Sequence, residues 1–444
     1  PVPWERALQE ASTALKRSGG RTAAIAGGGA TNEEGFLLAR MMREGLGSGH
    51  LDSRAHGALA LEQLRALSAP GLQARVSDLE FAHAVLVLDC DPIADAPILD
   101  LRLRKGVRRH GMKLERIAGE DMQAVREAAE RLAGAGEELV ILWGERFAAG
   151  PGGAERAQAL LELAASLSLA ETDGAGLLEV PSSANGRGLR EAGVLPDAGP
   201  GLSDPEGGGG RHAHDIATAL AGGELSAVYL LQADPLSAED PYCGGEAPWG
   251  EALERASTVI AHAAFLTEGI HEHANVVFPA ETYAEKEGTV THPDGRLQRV
   301  RQAVAHGGSR RAEWRVIAEL SARLGCDLGV DSGKAASQQL FDAVPFYAGL
   351  TLEEIGGRGV RWQERPQAQG DADADAAGGQ PPAQAEAAAS EDEGRTGEPG
   401  GEPTAPDAQA HSGPDTDTHA ADTETEKADG DSPPSDPPRT GAGK

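Results

Sequence analysis

Short runs of residues, apolar nearly throughout and closed by glycine or Asp-Pro turns, constrain this chain more than any other feature. They are Thr22–Ala26, Ala84–Leu88, Glu138–Trp143, Ala227–Leu231, Thr258–Ala261 and Asn275–Phe278. A strand with one wet face alternates apolar and polar side chains; these runs do not, so both faces must be covered. Helical patterns lie between them. One opens at Thr31, with Glu34 spaced to complete a capping box, and stops near Gly45 or Gly47. Others cover Met122–Ala133, Ala154–Ala170 and Ala312–Leu324, the last with Trp314, Ile317, Leu320 and Leu324 on one face and Gly325 as its stop. Buried strands separated by helices predict an α/β fold with parallel sheets flanked by helices.

The α/β pattern fills residues 1–350. Asp-Pro follows two of the strands, at Asp91-Pro92 and Asp234-Pro235, which hints at two related α/β halves, about 1–145 and 146–350. Asp-Pro is also an ordinary turn initiator. Two glycine-rich loops, Ala148–Gly153 and Gly199–Gly210, interrupt the pattern. From about Gln363 to Lys444 large apolar side chains vanish, so this stretch cannot offset its conformational entropy and is expected to be a disordered acidic tail. Of the formal net charge of −30, the part from Asp371 onward carries 18 acidic against 4 basic residues.

An acidic chain of this kind lacks the basic surface that sequence-independent nucleic-acid binding needs. No apolar run approaches the roughly 20 residues of a membrane span, so any membrane role would be peripheral. Cys90, Cys243 and Cys326 are far apart and form no CxxC pair, which gives zinc or an iron–sulfur cluster no basis here.

Gly27-Gly28-Gly29 joins a strand to a helix N-terminus, a place suited either to a plain turn or to an anion. It is neither G-x-G-x-x-G nor a P-loop. His271-Glu272-His273 looks metal-like, but a zincin would need histidine where Asn275 stands, and nothing fixes His262 or His292 beside it. Glu281, Glu285 and Glu287 around Lys286 read as a solvated turn, with paired-carboxylate chemistry as the sharper alternative. No nucleophile elbow or catalytic cysteine pair is present. The most informative stretch is Glu268–Gln302: a strand reaches Pro279, a polar loop follows, and Pro293-Asp294-Gly295 makes a tight turn. Ligands of open α/β sheets bind outside the carboxyl ends of strands, where this loop would lie.

That stretch resembles the molybdopterin oxidoreductases. Ala274 to Gln298 is similar to their strand "A-x-V-V-L-P" followed by "E-x-x-G-T-x-x-N-x-x-G-R-x-Q", and His273 to Thr289 resembles the version in the large iron–sulfur (G) subunits of NADH-quinone oxidoreductases. Trp4–Leu8, Thr31–Glu34, Leu46–Asp52, Asp91–Arg102, Ala184–Pro196 and Trp314 with its helix match further family motifs in order, from Trp4 to Gly325. The resemblance implies a subunit of a respiratory NADH:quinone electron-transfer complex, peripheral on the cytoplasmic side of the membrane and packed against other subunits of its peripheral arm. Iron–sulfur clusters would lie in a portion preceding this one, and the chain alone would not turn over. Carried over residue by residue, the pterin region comprises Gly28, Gly29, Thr31, Asn32, Asp91, Asn275, Glu285, Gly288, Thr289, Gly295 and Arg296. No catalytic residue or metal ligand is assigned. No Cys or Ser matches the family's molybdenum ligand, and His292 replaces its usual Asn, so a surviving pterin site is expected to be vestigial. Two rivals stand beside this reading: the catalytic subunit of a molybdenum or tungsten oxidoreductase of the formate dehydrogenase type, and a pure docking module.

Overall fold

A computed structural model describes residues 1–54, 59–205, 208–237 and 248–366. The strands, in chain order, are β1 (Thr22–Ala26), β2 (Leu51–Asp52), β3 (Ala84–Leu88), β4 (Lys113–Ile117), β5 (Leu139–Gly144), β6 (Gly176–Val180), β7 (Ala227–Leu231), β8 (Thr258–Ala263), β9 (Val276–Pro279), β10 (Gly288–Thr291), β11 (Arg296–Val300) and β12 (Val360–Arg361). They form a five-stranded sheet, β2-β1-β7-β8-β9, and a four-stranded sheet, β4-β3-β5-β6, both wholly parallel. A small antiparallel sheet, β10-β11-β12, completes the fold.

All six apolar runs are strands, and β1, β3, β5 and β7 are buried along their whole length. Alternate side chains feed opposite faces. Tyr229 and Leu231 of β7 join Leu37, Met41, Ile317 and Leu320 on one side, while Val228 and Leu230 meet Ile216, Leu220 and Leu253 on the other. In the second sheet Leu86 and Ile141 face Val125 and Leu160, and Val85 and Leu142 face Leu99 and Leu103. β4, with the sequence KLERI, is a half-exposed edge strand, so it lacks the apolar run that marks the others.

The expected division near residue 145 is not where the sheets divide. The second sheet is built from residues 84–180 and is inserted between β2 and β7, so the first sheet draws strands from both sides of it. A strand buried on both faces takes whichever partners cover its edges, and β1 finds β7 some 200 residues away, Thr22 opposite Ala227. The ordered chain also runs past the expected start of the tail: Trp362–Glu364 form a 3-10 turn, with Trp362 and Gln363 buried. The tail from 367 onward lies outside the described residues, as does Cys243. No helix among the described residues is long and apolar enough to cross a membrane.

Candidate functional site

Each parallel sheet has one point where its strand order reverses. In the first it lies between β1 and β7, in the second between β3 and β5. Open α/β sheets bind ligands in the crevice beyond the carboxyl ends of their strands at such points. A cleft opens at both.

The first cleft, about 460 Å³, is lined by Gly27, Gly28, Gly29, Ser183, Gln232 and Phe265 among others. Its glycines are required by contact. A Cβ on Gly27 would meet the carbonyl oxygen of Gln232 at 2.0 Å, and one on Gly28 would meet the Ala184 nitrogen at 2.7 Å. The helix Asn32–Arg40 begins here with the expected capping box: the Glu34 N–H donates to Thr31 Oγ1 at 3.2 Å, and the Thr31 N–H donates to Glu34 Oε2 at 2.8 Å. Two carboxylates, Glu33 and Glu34, therefore already sit at the positive end of this helix, which weakens its pull on a further anion.

Beside the cleft, the loop after β9 packs onto this helix. Lys286 Nζ donates to Glu34 Oε1 and Oε2, at 2.9 and 2.7 Å, and to Glu313 at the start of the helix Glu313–Leu324. Glu313 and Glu281 each accept the other's backbone N–H, at 3.3 and 3.0 Å, and Gln232 Nε2 donates to Glu313 Oε1 at 3.0 Å. His306 pairs with Glu281. Burial, and then the neighbouring Glu313 charge, push the Glu34 carboxyl up to about 7. Burial also raises Glu313, Glu281 and Glu33. Lys286 is opposed by burial, yet Glu34 and Glu313 hold it above the usual lysine value. The solvated-turn expectation fails for Glu281, Glu285 and Lys286, which are buried, and holds for Glu287, which is exposed. Nothing in the local pattern of alternating charge separates a wet turn from a loop whose partners arrive from residues 34 and 313. A faint signal existed in composition, since Lys286 is one of seven lysines in a chain with 33 arginines. An ammonium is a compact point charge with three donors and can meet two carboxylates at once.

A second network ties the same loop down. Asn32 Nδ2 donates to Thr289 Oγ1 and Thr291 Oγ1, at 3.2 and 3.0 Å, and Asn32 Oδ1 accepts from Asn185 Nδ2 at 2.9 Å. Asn185 Oδ1 accepts the Thr291 N–H at 2.9 Å. Glu33 accepts from the Thr289 N–H at 2.7 Å and from Ser337 Oγ at 2.7 Å. Sequence reasoning singled out Asn185 as a motif residue but not as a partner of Asn32.

The structure thus gathers Gly28, Gly29, Thr31, Asn32, Gly288 and Thr289, with Glu285 at their margin, held by Thr282 and Arg310. It does not bring the others there. Asn275 exchanges hydrogen bonds with Val259 near the start of β8, at the far end of the sheet. Gly295 makes the β10–β11 turn against Gln363, and Arg296 pairs in register with Arg361. Asp91 lines the second cleft, about 910 Å³, with Asp89, Arg116, Glu120, Arg146 and Arg156. Cys90 is there too, its thiol pushed up to about 12 by burial. His271, Glu272 and His273 fall on the short helix Glu268–His273, and no metal-like cluster with His262 or His292 forms among the described residues.

With two switch-point clefts on two parallel sheets, the architecture matches what the motifs imply, and comparison with known proteins agrees. The chain belongs to the molybdopterin oxidoreductase family, whose profile matches residues 1–133 and 135–323. Relatives include the NADH-quinone oxidoreductase G subunit of Mycobacterium bovis, 30% identical over 77% of this chain and 46% of that protein. The NADPH-Fe(3+) oxidoreductase subunit alpha of Geobacter sulfurreducens is 28% identical over 78% of this chain and 51% of its own length. Formate dehydrogenase H of Escherichia coli is 27% identical over 56% of this chain and 37% of its own. The chain spans about half the length of the first two.

Proposed function

We propose that this chain is the molybdopterin-oxidoreductase-like portion of the large iron–sulfur subunit of an NADH:quinone oxidoreductase, acting as a scaffold for the electron-carrying portion. In the whole complex NADH would be oxidised and quinone reduced, at the cytoplasmic face of a membrane and within a peripheral arm of several subunits. Iron–sulfur clusters would belong to other parts of that assembly. The NADH-quinone oxidoreductase relatives support the placement.

The observation that carries the scaffold role is the pairing at the first cleft. Asn32, Asn185, Thr289 and Thr291 hydrogen-bond to one another, and Lys286 is spent on Glu34 and Glu313. Polar groups built to hold a pterin would be left without partners when nothing is bound. None of these side-chain atoms is among the buried, unpartnered ones of the described residues. That pairing among Asn32, Asn185, Thr289 and Thr291 supports a scaffold over a working pterin site.

The second reading, a molybdenum or tungsten oxidoreductase, is favoured by the two switch-point clefts and by the formate dehydrogenase relatives. Elemental mass spectrometry for molybdenum and tungsten, with fluorescence of oxidised pterin, separates the two on the purified, folded chain. The scaffold reading expects neither metal nor pterin above trace. Near-stoichiometric metal with pterin would replace it with the second.

A further inference from the structure

We propose that the cluster of Glu34, Glu281, Glu313 and Lys286 is a proton-binding site, holding one exchangeable proton among its three carboxylates at neutral pH. One oxygen from each carboxylate lies within 4.8 Å of the others, and all three side chains are buried. Like charges that close, away from water, cannot all ionise without a matching cation.

The surrounding groups supply too few cations. Lys286 neutralises one carboxylate. His306, when protonated, neutralises a second through Glu281. Arg310 is taken by Glu285, which Thr282 also holds. Glu33, one position before Glu34, turns instead to Thr289 and Ser337. From β7 come Tyr229 and the neutral amide of Gln232, and from β8 comes His262, kept uncharged because burial pushes it down to about 3. With every carboxylate ionised the cluster carries a net −2, or −1 with His306 protonated. Glu281 and Glu313 are held together because each grips the other's backbone N–H, and Glu34 is held by the Thr31 N–H and by Lys286. A shared proton lowers the excess by one charge, and removes it when His306 is protonated; the raised carboxyl values agree with it. His306 is partly exposed and touches Glu281, which gives the proton a route to solvent.

The site joins four elements: the helix from Asn32, the loop before β10, the helix from Glu313 and, through Gln232, the turn that follows β7. Losing the proton sets carboxylate against carboxylate at the edge of the first cleft.

Infrared spectroscopy of the full chain tests this directly. Exposed carboxylates are ionised above about pH 6, so a carboxylic-acid C=O band that persists there reports a buried proton. The expected result is a band of one equivalent that fades with a midpoint near 7, the value to which Glu34 is raised, and is absent in Glu34→Gln. No such band in the wild-type protein, which needs no variant to fold, would overturn the proposal. So would a band unchanged in Glu34→Gln, Glu281→Gln and Glu313→Gln alike. Unfolding supplies an independent reading. The native chain keeps a proton that the unfolded chain releases near the ordinary glutamate value of 4.5, so this site's contribution to stability is greatest below that pH and is lost as pH rises toward about 7. The unfolding constant should rise by up to about tenfold per pH unit in that window, and Glu34→Gln should flatten the rise. A slope that Glu34→Gln leaves intact counts against the site.

Discussion

The two parallel sheets solve one problem with the same local device and then put it to different use. At each switch point the strand that ends there is followed by a non-glycine residue in the left-handed region: Gln232 after β7 (φ 52°) and Asp89 after β3 (φ 44°). In each, a glycine beyond or at the end of the neighbouring strand lies against that residue's carbonyl. A Cβ on Gly27 would stand 2.0 Å from the Gln232 oxygen, and one on Gly144 would stand 2.4 Å from the Asp89 oxygen. Two residues on, Asp234 and Asp91 accept the N–H of Leu236 and Ile93, at 3.0 and 3.1 Å, in the same turn before proline. What differs is what stands beside the turn. Gln232 reaches a buried ion cluster, whereas Asp89 holds the Gly119 N–H at the rim of an open cleft whose Arg146 is exposed. The difference teaches that a repeated backbone device can stand in unlike surroundings: the first switch point lies against a buried ion cluster, while the second keeps charged groups facing solvent.

The largest expected effect tests that contrast in charge. Lys286→Met leaves buried carboxylates without their ammonium and should cost about 3–5 kcal/mol in denaturant unfolding. Arg146→Met at the other cleft should stay within about 0.5 kcal/mol, as exposed substitutions do. Similar costs at the two sites would break the comparison.

The next effect tests the likeness. Gly27→Ala and Gly144→Ala each drive a methyl into a backbone carbonyl that has no flexible end to yield. Each should cost about 2 kcal/mol or more, read as a fall in denaturation midpoint at unchanged slope. If only one of the pair is costly, the devices are not equivalent.

How much of this could be read from sequence follows from which interactions are local. The capping box of Thr31 and Glu34 spans three residues and was legible, as were the strands buried on both faces, because their pattern has no other use. The two Asp-Pro turns share one local hydrogen bond, while the sheets draw their strands from both sides of the expected boundary. The ion cluster was not legible. Its members come from residues 34, 281, 286 and 313, and each looks like a surface charge among its own neighbours. The resemblance gathered Asn275, Gly295, Arg296 and Asp91 with Thr31 and Asn32 because a motif specifies positions along a chain and not places in space. The fold then sets the first four at the far end of β8, in the hairpin turn and in the second cleft.

The smallest effect sharpens the comparison within the shared turn itself. Asp91 is exposed, and its side chain caps the short helix Pro92–Asp95, so Asp91→Ala should lose about 1 kcal/mol, the usual worth of such a cap. Asp234 makes the same turn but is buried and also accepts from Thr267. Asp234→Ala removes that partner too and leaves the half-buried Thr267 hydroxyl to find another, which adds up to about 1 kcal/mol. Chemical denaturation of the two variants should therefore rank Asp234→Ala above Asp91→Ala. The double variant Asp234→Ala with Thr267→Val should recover part of the gap, because the hydroxyl then goes with its acceptor. Equal losses at Asp91 and Asp234, unaffected by Thr267→Val, would mean that the turn alone sets the cost and that burial at the first switch point adds nothing to it.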